Sequence, residues 1–110
     1  MKKVSIIGVD LAKNVFQVHG AAADGSVLFR KKLSRLHFAQ FVENLPPCIV
    51  AMEACASAHH WAREAARQGH AVRLIAPHYV KPFLKRQKND AADAEAIVEA
   101  ALRPTMRFVE

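Results

Sequence analysis

Apolar residues in this chain occur as short continuous runs, alternating further along with stretches where they recur every three or four positions. The first run, residues 4–10, is apolar apart from Ser5 and its last residue, Asp10. That pattern predicts a strand buried on both faces. Residues 11–14 can form a tight turn, and residues 15–20 predict a second strand. Asp24-Gly25 is a turn signal, and residues 27–33 predict a third strand that grows polar towards its end. Three strands joined by tight turns make an antiparallel meander.

The second half alternates helix and strand. Ser34 is placed to cap a helix whose apolar face is Phe38, Phe41, Val42 and Leu45, and Pro46 and Pro47 stop it. Residues 48–52 form another apolar run followed by an acid, Glu53. Ser57 is placed to cap a helix with Ala58, Trp61, Ala62 and Ala65 on its inner stripe, and Gly69 ends it. Residues 71–75 predict a fifth strand. Residues 77–88 read as irregular or briefly helical, interrupted by Pro82. A last helix starts at Asn89 or Asp90, with Ala94, Ile97, Val98, Ala101 and Leu102 as its stripe and Pro104 at its end. Helices between the later strands make those strands parallel through right-handed crossovers. The order β-β-β-α-β-α-β-α predicts an α/β, ribonuclease H-like fold with a mixed five-stranded sheet. Residues 1–103 form one domain, and residues 104–110 read as the start of a linker.

Composition narrows the class. The chain has 110 residues, 52% hydrophobic and 24% charged, a globular balance. No apolar run approaches the roughly 20 residues of a membrane helix. No separate signal region precedes the first strand, so a cytoplasmic protein with no membrane partner is expected. Cys48 and Cys55 are expected as buried free thiols; two thiols without a matched His pair make a poor zinc site. The net charge of +6, from 16 Lys and Arg against 10 Asp and Glu, favours a polyanionic partner.

The acids give the chemistry. Asp10 and Glu53 each end a buried apolar strand. If those strands are parallel neighbours, both carboxylates emerge at the sheet edge where open α/β sheets place their sites. Asp90 and Asp93 are spaced i, i+3 and share a helix face, continued by Ala94, Ile97 and Ala101. Each acid alone has a plainer account: a turn cap for Asp10, a surface acid for Glu53, an N-cap or helix-end charge for Asp90 and Asp93. Together, four converging carboxylates need positive charge to stay ionised. All-oxygen ligation suits Mg²⁺ or Mn²⁺, which support phosphodiester chemistry.

Three segments carry a family likeness: Gly8-Val9-Asp10-Leu11-Ala12-Lys13, Met52-Glu53-Ala54-Cys55-Ala56-Ser57-Ala58-His59-His60-Trp61 and Lys88-Asn89-Asp90-Ala91-Ala92-Asp93-Ala94. In this order they resemble the DEDD transposases of the insertion sequence one-ten family, over essentially the whole chain. Where that family often has Gly after its Glu motif, Ala56 or Ser57 stands here. The resemblance implies an N-terminal RuvC-like domain whose Mg²⁺-binding acids are Asp10, Glu53, Asp90 and Asp93. It also implies a longer protein with a serine nucleophile further on, a DNA target, a structured guide RNA, and homo-oligomers assembled on DNA.

Lys81, Lys85, Arg86 and Lys88 make a basic segment before the helix acids, and Lys13 follows the first. All five are candidate nucleic-acid contacts, against the alternative of a solvated loop. His59 and His60 read as exposed first-turn residues, Trp61 as core, and Ser57 as a cap rather than a nucleophile. Other readings are a RuvC-like nuclease or junction resolvase, and a non-catalytic nucleic-acid-binding module. A sugar-kinase-like ATPase ranks last, because Leu11-Ala12-Lys13-Asn14 lacks the Gly and Ser/Thr that would cradle phosphate.

Overall fold

The computed structural model describes residues 3–12, 14–83 and 90–109, with backbone alone at 90–92. Five strands, β1 (Ile6–Leu11), β2 (Val15–Ala21), β3 (Val27–Ser34), β4 (Ile49–Glu53) and β5 (Ala71–Ile75), form one sheet in the order β3-β2-β1-β4-β5. The β1–β2 and β2–β3 pairs are antiparallel, and β1–β4 and β4–β5 are parallel. The expected meander and crossovers are therefore both present. Helices α1 (Arg35–Asn44) and α2 (Ala58–Arg67) cover one face; α3 (Pro77–Val80) and α4 (Asp90–Ala101) cover the other. Among the described residues no helix is long and apolar enough to cross a membrane.

The α1/α2 face is a conventional core. Ile7, Val9, Val50 and Met52 from the central strands pack with Phe38 and Val42 of α1 and Ala58 and Ala65 of α2. Phe16, Phe38 and Trp61 meet edge to face, with ring centroids 5.1–5.3 Å apart. Each such pair adds about 0.5–1.5 kcal/mol beyond its buried area. His70 is buried here and ties three elements. Its Nδ1 accepts from the Cys48 N–H at 3.2 Å, and its Nε2 donates to the Val42 carbonyl at 2.9 Å. A backbone N–H can only donate and a carbonyl only accept, so this pairing selects the Nε2-protonated imidazole.

The α4 face is closer packed. Ala94, Ala96, Ile97, Val98, Ala100 and Ala101 are all buried, and the small residues let the helix lie low on the sheet. The backbones approach closely at Gly8. A Cβ there would sit 2.5 Å from the Ala94 carbonyl oxygen and 2.6 Å from Val98 Cγ2. Only glycine leaves room for this approach.

The local expectations fare differently. Ser34 caps α1 through a hydrogen bond from the His37 N–H. Ser57 stands at the start of α2 with helical dihedrals and no side-chain cap; its hydroxyl lies 3.7 Å from Cys55 Sγ instead. Cys55 is exposed, not buried, because it lies beyond the end of β4. Leu102 falls just after α4 and is exposed. Gly69 ends α2 with φ +92°, as a helix-terminating glycine should. The segment read as the start of a linker turns back onto the sheet: the Val109 N–H bonds to the Leu74 carbonyl at 2.7 Å, and Arg73 lies over the Phe108 ring.

Gly8→Ala is expected to lower stability by about 1–3 kcal/mol, the usual range for overpacking. Urea denaturation measures it, and an unchanged midpoint would mean that α4 is not seated on β1.

His19 on β2 gives a pH-dependent prediction. It is 3% exposed, and its Nδ1 has no hydrogen-bond partner among the described residues. Burial pulls its pKa below the ordinary imidazole value; the charge of Glu95 opposes this, Arg30 reinforces it, and Glu99 opposes it. The unfolded chain therefore takes up the proton first as pH falls, so stability held above the free imidazole range is lost as pH drops through it. Thermal unfolding at pH 7.5 and 5.5 should show a smaller acid-induced drop in His19→Gln than in the unsubstituted chain. Equal drops would show that His19 is not the group responsible.

Candidate functional site

Two strand ends and one helix start meet at one corner of the molecule. The β1–β4 register runs from Ile6↔Ile49 to Val9↔Met52, and Asp10 and Glu53 are the next residues on each strand. Neighbouring strands lie about 4.8 Å apart, so the two acids are side by side at the backbone. Alternation gives their face. Ile7 and Val9, like Val50 and Met52, belong to the α1/α2 core, whereas Ile6 and Ala51 pack under α4 and Gly8 touches it. Asp10 and Glu53 continue the second set and lie on the α4 face.

Helix α4 begins at Asp90, and Asp93 follows one turn later. Its low seat on Gly8 brings this first turn to the strand ends. Glu53 registers the result: its carboxyl is pushed above the ordinary range, first by burial and next by the charge of Asp93, with Lys81 pulling it back. Glu53, Asp93 and Lys81 are therefore electrostatic neighbours. Lys81 is exposed and opens the short 3-10 turn Lys81–Phe83.

Of the sequence-predicted acids, Asp10, Glu53 and Asp93 thus come to one face and one end of the sheet. The backbone of Asp90 lies at the same helix start, and its side chain is outside the described residues. Among the described residues no group of three or more His, Cys, Asp or Glu is disposed to hold a metal ion. Lys13, Lys85, Arg86 and Lys88 also lie outside the described residues. His59 and His60 are exposed on α2, across the sheet from the acids, and the His60 ring packs 5.0 Å from Trp61. Cys48, close to His70, is held protonated by burial, its pKa raised to about 11, and is no nucleophile at neutral pH.

Sequence reasoning missed the supports of this corner. Arg30 on β3 pairs with Glu95 of α4 at 3.4 Å, linking the sheet edge to the helix that carries Asp93. Gln17, directly opposite Asp10 on β2, was also missed. The alternation of β2 contained a signal for it, but only the strand register shows which polar residue faces which acid.

The chain is similar to known proteins over nearly all its length. It is 59% identical over 106 residues to the "Probable family 20 transposase" of Pseudomonas aeruginosa, and 52% identical over 109 residues to the transposase for insertion sequence element IS1328 of Yersinia enterocolitica. It is 44% identical over its full 110 residues to the transposase for insertion sequence element IS1111A of Coxiella burnetii. These matches cover 96–100% of the chain, which spans only 30–33% of the length of these relatives. Among solved structures, Thermus thermophilus RuvC has a TM-score of 0.67 at 17% identity, covering 94% of this chain and 99% of that one. RuvC in complex with a Holliday junction substrate superposes with the same TM-score at 14% identity, covering 88% and 92%. The fold is therefore RuvC-like, in keeping with the ribonuclease H-like class read from the element order and with the family resemblance. No family model matches the chain.

A charged Glu53 costs stability in the absence of a counterion. Its folded pKa lies above the unfolded value, so its favourable contribution is present below the unfolded pKa and is lost as pH rises through the folded one. In EDTA at pH 7, Glu53→Gln should therefore raise the melting temperature, and the gain should vanish near pH 4. A lower melting temperature at pH 7 would show that the Glu53 charge is compensated within the protein.

Proposed function

We propose that this chain, homologous along nearly its whole length to insertion-sequence transposases, is the metal-dependent strand-cleaving domain of a DNA transposase. The observation that carries this reading is the corner itself: Asp10 and Glu53 on adjacent parallel strands, and Asp93 in the first turn of α4, whose charge reaches Glu53. A sheet edge of this kind is where α/β folds assemble sites.

Asp10, Glu53, Asp90 and Asp93 are the residues that would hold Mg²⁺ or Mn²⁺. The donor set fits in kind: it is all carboxylate oxygen, as hard divalent cations prefer, and the effect of Asp93 on Glu53 is the like-charge crowding that a cation relieves. Bound there, the ion would supply positive charge for cleavage and transfer of a DNA phosphodiester. The protein's own groups orient that reaction. Gly8 seats α4, α4 sets Asp93 against Glu53, and Lys81 offers a cation beside them for a backbone phosphate. Lys13, Lys85, Arg86 and Lys88 add candidate phosphate contacts. In a whole transposase this domain would act with a serine nucleophile elsewhere in the protein, on DNA selected by a structured guide RNA, within a homo-oligomer. A junction resolvase of the same fold is the competing reading, and cleavage of branched DNA by this chain alone would favour it.

Calorimetric titration of Mg²⁺ and Mn²⁺ tests the site. Binding to the unsubstituted chain should weaken tenfold or more, about 1.4 kcal/mol, in both Asp10→Asn and Asp93→Asn. Equal binding in all three proteins would remove these acids from any metal site and leave a nucleic-acid-binding module as the better reading.

A further inference from the structure

We infer that Lys32 on β3, aligned with Gln17 and Asp10 in one row across the sheet, contacts a backbone phosphate of DNA lying over the acidic corner. The inference rests on the proposed reading of that corner as a DNA-cleaving site and adds a residue that the motifs do not contain.

The row follows from the register: Asp10 pairs with Gln17, and Gln17 pairs with Lys32. The face follows from the neighbours. Phe16 and Val18 belong to the α1/α2 core, so Gln17 turns to the α4 side. Lys31 lies over the Phe41 ring of α1 at 5.3 Å, and Arg30 reaches Glu95 of α4 at 3.4 Å. By alternation Lys32 shares the side of Arg30, which is also the side of Asp10.

Depth distinguishes this row from the one behind it. In the neighbouring row Gly8 pairs with His19 and His19 with Arg30; α4 roofs it, and His19 is 3% exposed. One pleat further on, Gln17 is half-buried and Lys32 exposed, so the surface opens outward from Asp10 along the row. Two strand spacings put the Lys32 backbone roughly 10 Å from that of Asp10. Phosphates of one DNA strand advance about 3.4 Å each along the helix axis. A strand with one phosphate at the acids therefore brings another, two or three nucleotides away, to Lys32. Arg30 and Arg67 are engaged by Glu95 and Glu64, whereas Lys32 is in no ion pair among the described residues. An exposed cation roughly 10 Å along the sheet from the acids, on a surface open to a polyanion, is suited to binding the flanking backbone without neutralising them.

Edge strands also carry lysines to discourage pairing with other chains. That role is indifferent to nucleic acid, so DNA binding separates the two. The measurement is fluorescence anisotropy of a short fluorescein-labelled DNA duplex, titrated with the chain at several NaCl concentrations. Lys32→Gln should weaken binding several-fold and lower the slope of log K against log salt by about 0.9, one phosphate contact. Lys32→Arg should restore both, and Arg63→Gln, an exposed charge on α2 across the sheet, should change neither. If the unsubstituted chain binds and Lys32→Gln binds with the same affinity and slope, the inference falls while the metal-site reading stands. Equal losses in Lys32→Gln and Arg63→Gln would reduce the effect to net charge and overturn it too. Loss confined to an RNA duplex would overturn the assignment to DNA. Failure of the unsubstituted chain to bind DNA would overturn this inference together with the DNA-cleaving reading beneath it.

Discussion

The contact between Gly8 and α4 sets the rest of this structure. A helix usually rests on a sheet through side chains, but here the Ala94 carbonyl occupies the space a β1 side chain would take. The run of small residues along α4 continues this, with Ala96, Ala100 and Ala101 fully buried. Moving the helix outward would separate Asp93 from Glu53. It would also lengthen the Arg30–Glu95 pair, already 3.4 Å between heavy atoms, and uncover His19. One glycine thus couples the packing of a whole layer to the electrostatics of one corner.

The two faces of the sheet do different work. The α1/α2 face holds the large side chains, the edge-to-face aromatic cluster and the His70 bridge, whose two hydrogen bonds are complementary in direction. Its buried imidazole is bonded on both nitrogens and its core is deep. The α4 face holds small residues, a buried imidazole with no partner on one nitrogen among the described residues, and Glu53 under the charge of Asp93. Buried polar groups without partners oppose folding. That tension falls on the layer carrying the candidate site, while the opposite layer supplies stabilisation.

The strands were legible because the central ones are buried on both faces, and residues such as Ile6, Ile7 and Val9 then leave an unbroken apolar signature. Glycine and proline punctuation marked the helix ends for the same reason: Gly69 needs its positive φ, and the two prolines after Leu45 cannot extend α1. Asp10 and Glu53 were legible as strand-end acids. Their pairing with α4 required the parallel order that the alternating elements imply. What was hidden depends on register or on rotamer. Ser57 is of a capping type but makes no cap, because its hydroxyl turns towards Cys55. Gln17 and Lys32 are unremarkable on a strand until two ladders align them with Asp10. His19 looks like any alternating polar residue until α4 closes over it.

The corner's chemistry follows from rigidity combined with like charge. Two carboxylates on flexible loops would move apart and lower their repulsion. Glu53 is the terminal residue of a strand paired on both sides, to β1 and to β5 through Ile75. Asp93 belongs to a helix that cannot retreat without losing its seat on Gly8. The repulsion is therefore retained, and it adds to burial, the larger cause, in raising the proton affinity of Glu53. A group held in this way responds to added positive charge, as the opposing effect of Lys81 shows. Such an arrangement holds like charge close to Glu53, and the backbone contact at Gly8 is what prevents the fold from relaxing it away.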